Sequence, residues 1–254
     1  RTSNVVAQLD NWTDNGQTYT FGPTVPAKFV AGGTNAVTGT APTSVIYYSG
    51  DGNTWIASPY TAFNNIGGVI NGVAYNGILW VAVGTSAATT PTSTIIYSYD
   101  AINWTSAVGT TFGSVSGAQG RGVAWGGNKF VAVGTNGSVA PAITSVYSYD
   151  GINWLATTTT GSTTGMWSTA TFSGSGWGVA YNGIRWVAVG GDGNTTAATT
   201  HKCIYYSADG LTWSIASGTP FLSVGTGNNS VARAVAWNGL RWVAVGDGTN
   251  CIAC

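Results

Sequence analysis

The sequence predicts an all-β protein made of five copies of one four-stranded unit. Three observations support this prediction. A hairpin motif recurs about every 50 residues, a second motif containing an Asp and a Trp follows each hairpin, and the N-terminal segment matches the strand that the last copy lacks. Because the repeat runs through the chain, we expect a single domain over residues 1–254.

The first motif is a pair of short β-rich runs around Asn-Gly or Gly-Gly. These dipeptides tolerate the positive φ angles of a type I′ hairpin turn, so each copy predicts strands A and B of one unit. The four clear copies occupy residues 72–84, 122–134, 178–190 and 234–246, and an eroded copy lies at 28–33.

The second motif predicts strands C and D with a tight turn between them. An apolar run ending at Tyr predicts strand C, and the Trp begins strand D. The Asp carboxylate of such a turn accepts hydrogen bonds from backbone N–H groups just ahead of it, so we assign structural roles to these repeated residues. The aspartates are Asp51, Asp100, Asp150 and Asp209, and the tryptophans are Trp12, Trp55, Trp104, Trp154 and Trp213.

Four short strands in each period are typical of a β-propeller blade, and the repeat predicts five blades. The last copy ends within strand C, whereas Asn11-Trp12-Thr13 matches Asn103-Trp104-Thr105. We therefore expect the N-terminal strand, from the same chain or a neighbouring one, to complete the last blade. The predicted blades are 16–58, 71–107, 121–157, 177–216, and 233–254 with 10–15, and residues 1–9 form a connector strand.

The Ser-x-Asp-Gly-x-x-Trp segments resemble the Asp-box of sialidase-type (BNR) repeats, with one residue fewer between Asp and Trp. In that family the Asp-boxes are peripheral turns, so the resemblance implies a propeller fold and no catalytic role for the four aspartates. Sialidases use an arginine cluster, a tyrosine nucleophile and a glutamate, and this sequence has no glutamate. The five-unit architecture is also similar to that of tachylectin-2-type propeller lectins.

The composition argues against several functional classes. Charged residues make up 6% of the chain and the net charge is zero, which disfavours nucleic-acid binding because phosphates require clustered Lys and Arg. No apolar run approaches the ~20 residues of a membrane span. The one histidine, His201, has no nucleophile near it in the sequence, so we expect a surface residue rather than a catalytic base. We expect no enzyme activity, no cofactor and no metal.

The cysteines and the N-terminus bear on location and assembly. Cys203 and Cys251 occupy a repeat position where other copies carry Val or Ile, so we expect buried thiols. Cys254 is free to pair with another subunit. A hydroxyl-rich, weakly charged chain that begins at Arg1 is typical of a processed, exported protein, and we expect an extracellular or cell-surface location.

Two functions remain open at this point. The first is a structural or adhesive subunit that self-associates through residues 1–15 or Cys254, and the alternative is a lectin with aromatic sites between blades. An insert at 161–170 lengthens one loop, and we expect the fold to close without the Met166 and Trp167 that it carries. Such loops often carry function, although a tolerated surface insertion is the alternative. The candidate glycan-binding residues are Met166, Trp167, Phe172, Tyr206 and Trp213.

Overall fold

The computed structural model describes residues 11–14, 17–20, 29–34, 45–59, 68–85, 93–113, 115–137, 143–160, 166–167, 174–192, 203–218, 221, 231–247 and 252–253. These residues form β-strands and no helix, which confirms the all-β prediction. Within them, no helix is long and apolar enough to cross a membrane.

The described strands form an N-terminal hairpin followed by five sheets. The hairpin contains β1 (Asn11–Asp14) and β2 (Gln17–Thr20). The first sheet contains β3 (Phe29–Gly32), β4 (Ile46–Ser49) and β5 (Ile56–Ala57). The second contains β6 (Val69–Tyr75), β7 (Trp80–Thr85), β8 (Ile95–Ser98) and β9 (Thr105–Ser106).

The third and fourth sheets each contain five strands, and three strands of the fifth are described. The third contains β10 (Val108–Gly109), β11 (Ala118–Gly126), β12 (Lys129–Asn136), β13 (Ser145–Ser148) and β14 (Asn153–Ala156). The fourth contains β15 (Thr158–Thr159), β16 (Ser175–Tyr181), β17 (Trp186–Gly191), β18 (Ile204–Ser207) and β19 (Thr212–Ile215). The fifth contains β20 (Val231–Trp237), β21 (Trp242–Asp247) and β22 (Ile252–Ala253).

The prediction of four antiparallel strands per unit is incomplete for the third and fourth sheets. In each, a fifth strand pairs in parallel with the outermost strand, β10 with β14 and β15 with β19. This fifth strand comes directly after the last strand of the preceding sheet in the sequence, since β10 follows β9 and β15 follows β14. Its backbone satisfies groups on the next sheet's edge: Val108 N–H donates to Ile152 O at 2.9 Å, and Thr110 N–H donates to Trp154 O at 2.8 Å. Consecutive sheets are thereby linked at their outer edges.

The pairing of the N-terminal strand with the last sheet remains a prediction, since the partner described for β1 is β2, which occupies one edge of that strand. Among the described strands, β1 pairs with β2, in the register Asn11↔Thr20 to Asp14↔Gln17, and β22 pairs with β21. The physical reason is local, because the residues between β1 and β2 are Asn15-Gly16, a dipeptide that strongly favours a two-residue hairpin. Residues 1–10 and Cys254, the other elements of the predicted connection, lie outside the described residues.

The sheets stack in chain order, with one core cluster at each junction. Leu79 and Val81 of the second sheet pack with Phe130 and Trp154 of the third, and three similar clusters occupy the other junctions. Because both faces of an interior sheet are covered by neighbouring sheets, strand B of that sheet is buried on both sides. An example is the fully buried run from Val81 to Val83 on β7.

Strand A of each of the second to fourth sheets (β6, β11 and β16) lies close to strand A of the next sheet at a glycine. A Cβ on Gly122 would lie 3.0 Å from Trp177 O and 3.3 Å from the Cα of Gly178, and one on Gly178 would lie 3.3 Å from the Cα of Ala234. Because equivalent residues of neighbouring sheets touch, equivalent ends of the sheets lie on the same side of the stack. This alignment positions the features that follow.

Candidate functional site

The carboxylate of the aspartate in each Asp turn accepts hydrogen bonds from groups within the same turn. In the third sheet, Asp150 Oδ1 accepts from the backbone N–H of Ile152 at 2.8 Å and of Asn153 at 2.7 Å, and the Ser148 hydroxyl donates to the same oxygen at 2.8 Å. The turns at Asp51, Asp100 and Asp209 have the same bonds. Carboxylates held in this way are turn-forming groups rather than acid or base catalysts.

The pKa values of these aspartates agree with that role. Burial alone would raise the pKa of Asp150, but hydrogen bonds from the Asn153 side chain and from the N–H groups of Asn153 and Ile152 bring it down to about 2. Hydrogen bonds from the N–H groups of Thr54 and Asn53 lower the pKa of Asp51 to about 2 as well. A group with so low a pKa stays ionised at neutral pH and does not exchange protons there.

The repeated tryptophans pack against the same turns. The indole Nε1–H donates to a carbonyl oxygen three residues earlier in three of them, as in Trp154 to Gly151 O at 3.1 Å. Trp104, Trp154 and Trp213 are buried, whereas Trp55 is 42% exposed. The side chain of Trp12 lies outside the described residues.

The expectation that Met166 and Trp167 lie on a loop that the fold does not need is wrong. Both side chains are fully buried between the third and fourth sheets with Trp186 and Trp213. Trp167 Nε1–H donates to Cys203 O at 3.3 Å, and its ring lies edge-on to Tyr205, with 5.4 Å between centroids. The physical reason is that the apolar surface between the third and fourth sheets must be shielded from water, and Met166 and Trp167 of the insert pack against it.

Trp167 takes the place that a phenylalanine takes at the preceding junction. A Cβ on Gly134 of β12 would lie 3.1 Å from Phe112 Cδ1, and one on the equivalent Gly190 of β17 would lie 2.6 Å from Trp167 Cε2. Phe112 and Phe221 are fully buried, like Trp167. Phe172, which the sequence predicts as a candidate glycan-binding residue, lies outside the described residues.

The remaining predicted residues are not brought together as a ligand site. Trp213 is fully buried, whereas Tyr206 is 38% exposed and lies 5.2 Å from the guanidinium carbon of Arg185. Cys203 is buried, and burial followed by the charge of the nearby Asp192 raises the pKa of its thiol to about 12. Cys251 and His201 lie outside the described residues. No group of three possible metal ligands occurs in the described part of the chain.

One side of the stack carries both sets of turns, and we call it the turn face. Register shows that the A–B turn and the Asp turn lie at the same end of each sheet, since Trp80 pairs with Ser98 and Trp186 with Ser207. Three aliphatic tips project from the A–B turns of this face. Their exposed fractions are 70% for Ile78, 81% for Ile184 and 77% for Leu240.

The turn geometry permits these tips but does not require them. The predicted type I′ turn, with positive φ at both central residues, occurs at Gly127 and Asn128. In the other three hairpins only the glycine has positive φ, so the next residue has an ordinary backbone conformation. That residue is Ile78, Ile184 or Leu240, and a polar side chain would fit there equally well.

A second surface feature, which the sequence pattern did not reveal, lies at β-bulges in strand A of the second to fifth sheets (β6, β11, β16 and β20). In the second to fifth sheets, the register between strand A and strand B shifts by one residue. The bulged residues are Asn71, Arg121, Trp177 and Arg233. Bulges re-aim side chains, and they are over-represented next to functional sites. The guanidinium carbons of Arg121 and Arg233 lie 3.6 and 4.5 Å from the ring centroid of Trp177. We call Arg121, Trp177 and Arg233 the bulge cluster.

The two arginines of the bulge cluster differ in their partners. Arg233 donates from Nε at 2.9 Å and from Nη2 at 2.5 Å to Asp247 Oδ2. Arg121 donates no hydrogen bond among the described residues, and its Nε is shielded from solvent without a partner. Burial, with a further contribution from the charge of Arg233, lowers the pKa of Arg121 to about 10. At neutral pH the cluster therefore holds two positive charges, and the carboxylate of Asp247 neutralises one of them.

Comparison with known proteins gives remote likeness to solved structures. The GH74 enzyme of Niastella koreensis is 20% identical, with 87% of this chain and 28% of that one covered at a TM-score of 0.44. The Bombyx mori GH32 β-fructofuranosidase is 14% identical, with 70% and 40% covered and a TM-score of 0.38. The computationally designed Ika4 protein is 15% identical, with 72% and 89% covered and a TM-score of 0.41.

This chain thus spans less than half the length of either enzyme. No protein-family model matches the chain, and no curated protein matches it either. At these identities and TM-scores, no activity of the matched proteins carries over to this chain.

Proposed function

We propose that the chain is a non-catalytic, exported β-propeller of five blades that self-associates, as a structural or adhesive subunit, through its turn face. The observation that carries the proposal is the repeated display of Ile78, Ile184 and Leu240 at one end of consecutive sheets. Large aliphatic side chains exposed at the most protruding points of a surface are unfavourably hydrated, and contact with another surface removes that cost.

A second copy of this chain is the occupant that we propose for the turn face. Arg185 and Arg241 stand beside two of the aliphatic tips, while Asp100 and Asp209 lie in the Asp turns at the same end of the sheets. The face therefore carries both signs of charge and can meet a copy of itself with opposite charges aligned. The zero net charge of the chain leaves little overall repulsion between copies.

The test is the concentration dependence of mass in solution. We expect the chain to form dimers or larger assemblies in light scattering, and the triple variant Ile78→Ser, Ile184→Ser, Leu240→Ser to remain monomeric. The matched control replaces Leu155 and Ile215 with Ser, since both are exposed on β14 and β19 rather than on the A–B turns. Association that survives the triple variant, or that is lost equally in the control, would overturn this function.

The lectin alternative has less support. Of its predicted contact residues, Met166, Trp167 and Trp213 are buried, and Tyr206 is the one with an exposed described side chain. A sugar ring needs an exposed aromatic face to stack on, and a single partly exposed tyrosine covered by Arg185 offers little of one.

A further inference from the structure

We propose that the bulge cluster is a binding site for a carboxylate-bearing small molecule, with Arg121 as the principal contact. This inference is independent of self-association, because the cluster lies on the first strands and not among the aliphatic tips of the turn face. It begins with the unused hydrogen-bonding capacity of Arg121.

A guanidinium has five N–H donors, and those that are removed from water need acceptors. Arg121 meets the indole of Trp177 at 3.6 Å, but that contact satisfies none of its N–H groups. Its Nε is shielded from water and unpartnered. An acceptor bound at the cluster would supply what the described part of the chain does not.

The fifth sheet shows which acceptor suits this position. Arg233 occupies the same bulge position as Arg121, and it holds the carboxylate of Asp247. Asp247 follows Gly246, and the residue that follows the equivalent Gly134 in the third sheet is Thr135. Arg121 therefore has no carboxylate at the place where Arg233 has one, and an incoming carboxylate would play the corresponding part.

Local charge and geometry favour an anion over a neutral ligand. Two guanidiniums are held near one indole ring, and only one of them is neutralised by a carboxylate. Burial, and after it the charge of Arg233, lowers the pKa of Arg121, and a bound anion would offset the repulsion between the two guanidiniums. Arg also matches the planar carboxylate group, which it binds through paired N–H donors.

The bulge explains how the chain presents these side chains. At the equivalent position of the second sheet, Asn71 Nδ2 donates to Gly120 O of the third sheet at 2.8 Å. Bulge side chains therefore reach across to the neighbouring sheet. In the third, fourth and fifth sheets this reach brings the two arginines to one tryptophan.

The test uses acetate, glucuronate, glucose and inorganic phosphate as probes and follows the Nε–Hε resonances of the five arginines by ¹⁵N NMR. We expect acetate and glucuronate to shift the signals of Arg121 and Arg233 saturably, and glucose to leave them unchanged. Tighter binding of glucuronate than of acetate would identify an acidic sugar as the source of the carboxylate, and equal binding would identify the bare carboxylate. A response to phosphate without a response to either carboxylate overturns the proposal.

Three variants separate binding from folding. Arg121→Gln is expected to weaken carboxylate binding about tenfold or more, the effect of one lost charge-assisted contact. Asp247→Asn removes the carboxylate that competes with a bound ligand for Arg233. We expect it to tighten carboxylate binding severalfold, a gain that misfolding could not produce. Arg185→Gln, which removes an arginine stacked on Tyr206 outside the cluster, should leave binding unchanged. Unaltered affinity in Arg121→Gln, or weaker binding in Asp247→Asn, refutes the assignment.

Discussion

The Asp turns share one position at which a Gly→Ala substitution should lower the free energy of unfolding by very different amounts in two sheets. Gly52 and Gly151 both adopt positive φ, at 80° and 75°. A Cβ on Gly151 would lie 2.3 Å from Leu79 Cδ2 and 3.1 Å from both Phe130 Cε2 and Val81 Cγ2, whereas a Cβ on Gly52 would meet nothing nearer than Phe29 Cε2 at 3.6 Å.

The expected destabilisation follows from two separate contributions. Each Gly→Ala substitution costs roughly 1–2 kcal/mol for a left-handed conformation. Overpacking adds about 1–3 kcal/mol in Gly151→Ala, because Leu79, Val81 and Phe130 are buried and have no free space to move into. We therefore expect about 2–5 kcal/mol of destabilisation for Gly151→Ala and about 1–2 kcal/mol for Gly52→Ala.

Denaturant unfolding followed by tryptophan fluorescence measures both values. Gly77→Ala is the conformational control, since Gly77 has a φ of 97° and an added methyl group there would have no atom within 4 Å; it should match Gly52→Ala. Equal destabilisation by Gly151→Ala and Gly52→Ala would show that the sheets are not packed at this junction as the structure has them. The native Ala101, buried at the equivalent position with a φ of 62°, shows that the conformation itself is tolerated.

Three further predictions concern the same repeat. Because the pKa values of Asp51 and Asp150 are lowered from 3.8 to about 2, their contribution to stability should be complete above about pH 4 and lost as the pH falls toward 2; melting temperatures measured across this range test it, and a constant value would contradict it. Trp154→Phe should cost about 1–3 kcal/mol, since it leaves Gly151 O without its donor, whereas the exposed Trp55→Phe should cost under about 0.5 kcal/mol in the same unfolding assay. In a Cys251→Ser, Cys254→Ser background, Cys203 should react with a thiol reagent only after unfolding, because it is buried with a pKa of about 12; rapid labelling of the folded protein would refute this.

Local chemistry explains which predictions succeeded. The all-β class follows from glycine-containing turns and β-rich runs, which act over a few residues. The hydrogen bonds of the Asp turns, such as Ser148 to Asp150, also join residues close in sequence. Asn15-Gly16 carries the same local turn signal, and β1 and β2 pair across it.

Predictions that depended on which surfaces meet were less successful. Met166 and Trp167 looked dispensable because an insert lengthens one loop, yet both are buried between two sheets. The number of blades and the closure of the last one remain predictions.

The sequence by itself determined the all-β class, the positions of the turns and the local hydrogen bonds of the aspartates, because each depends on neighbours along the chain. Only the tertiary structure decided that Arg121, Trp177 and Arg233 form a cluster. Each of these residues lies 56 positions from the next in the sequence, and no local pattern marks them. They meet because bulges at the same position of three consecutive sheets turn their side chains toward one another, and the close approach of Gly122 and Gly178 brings those sheets together.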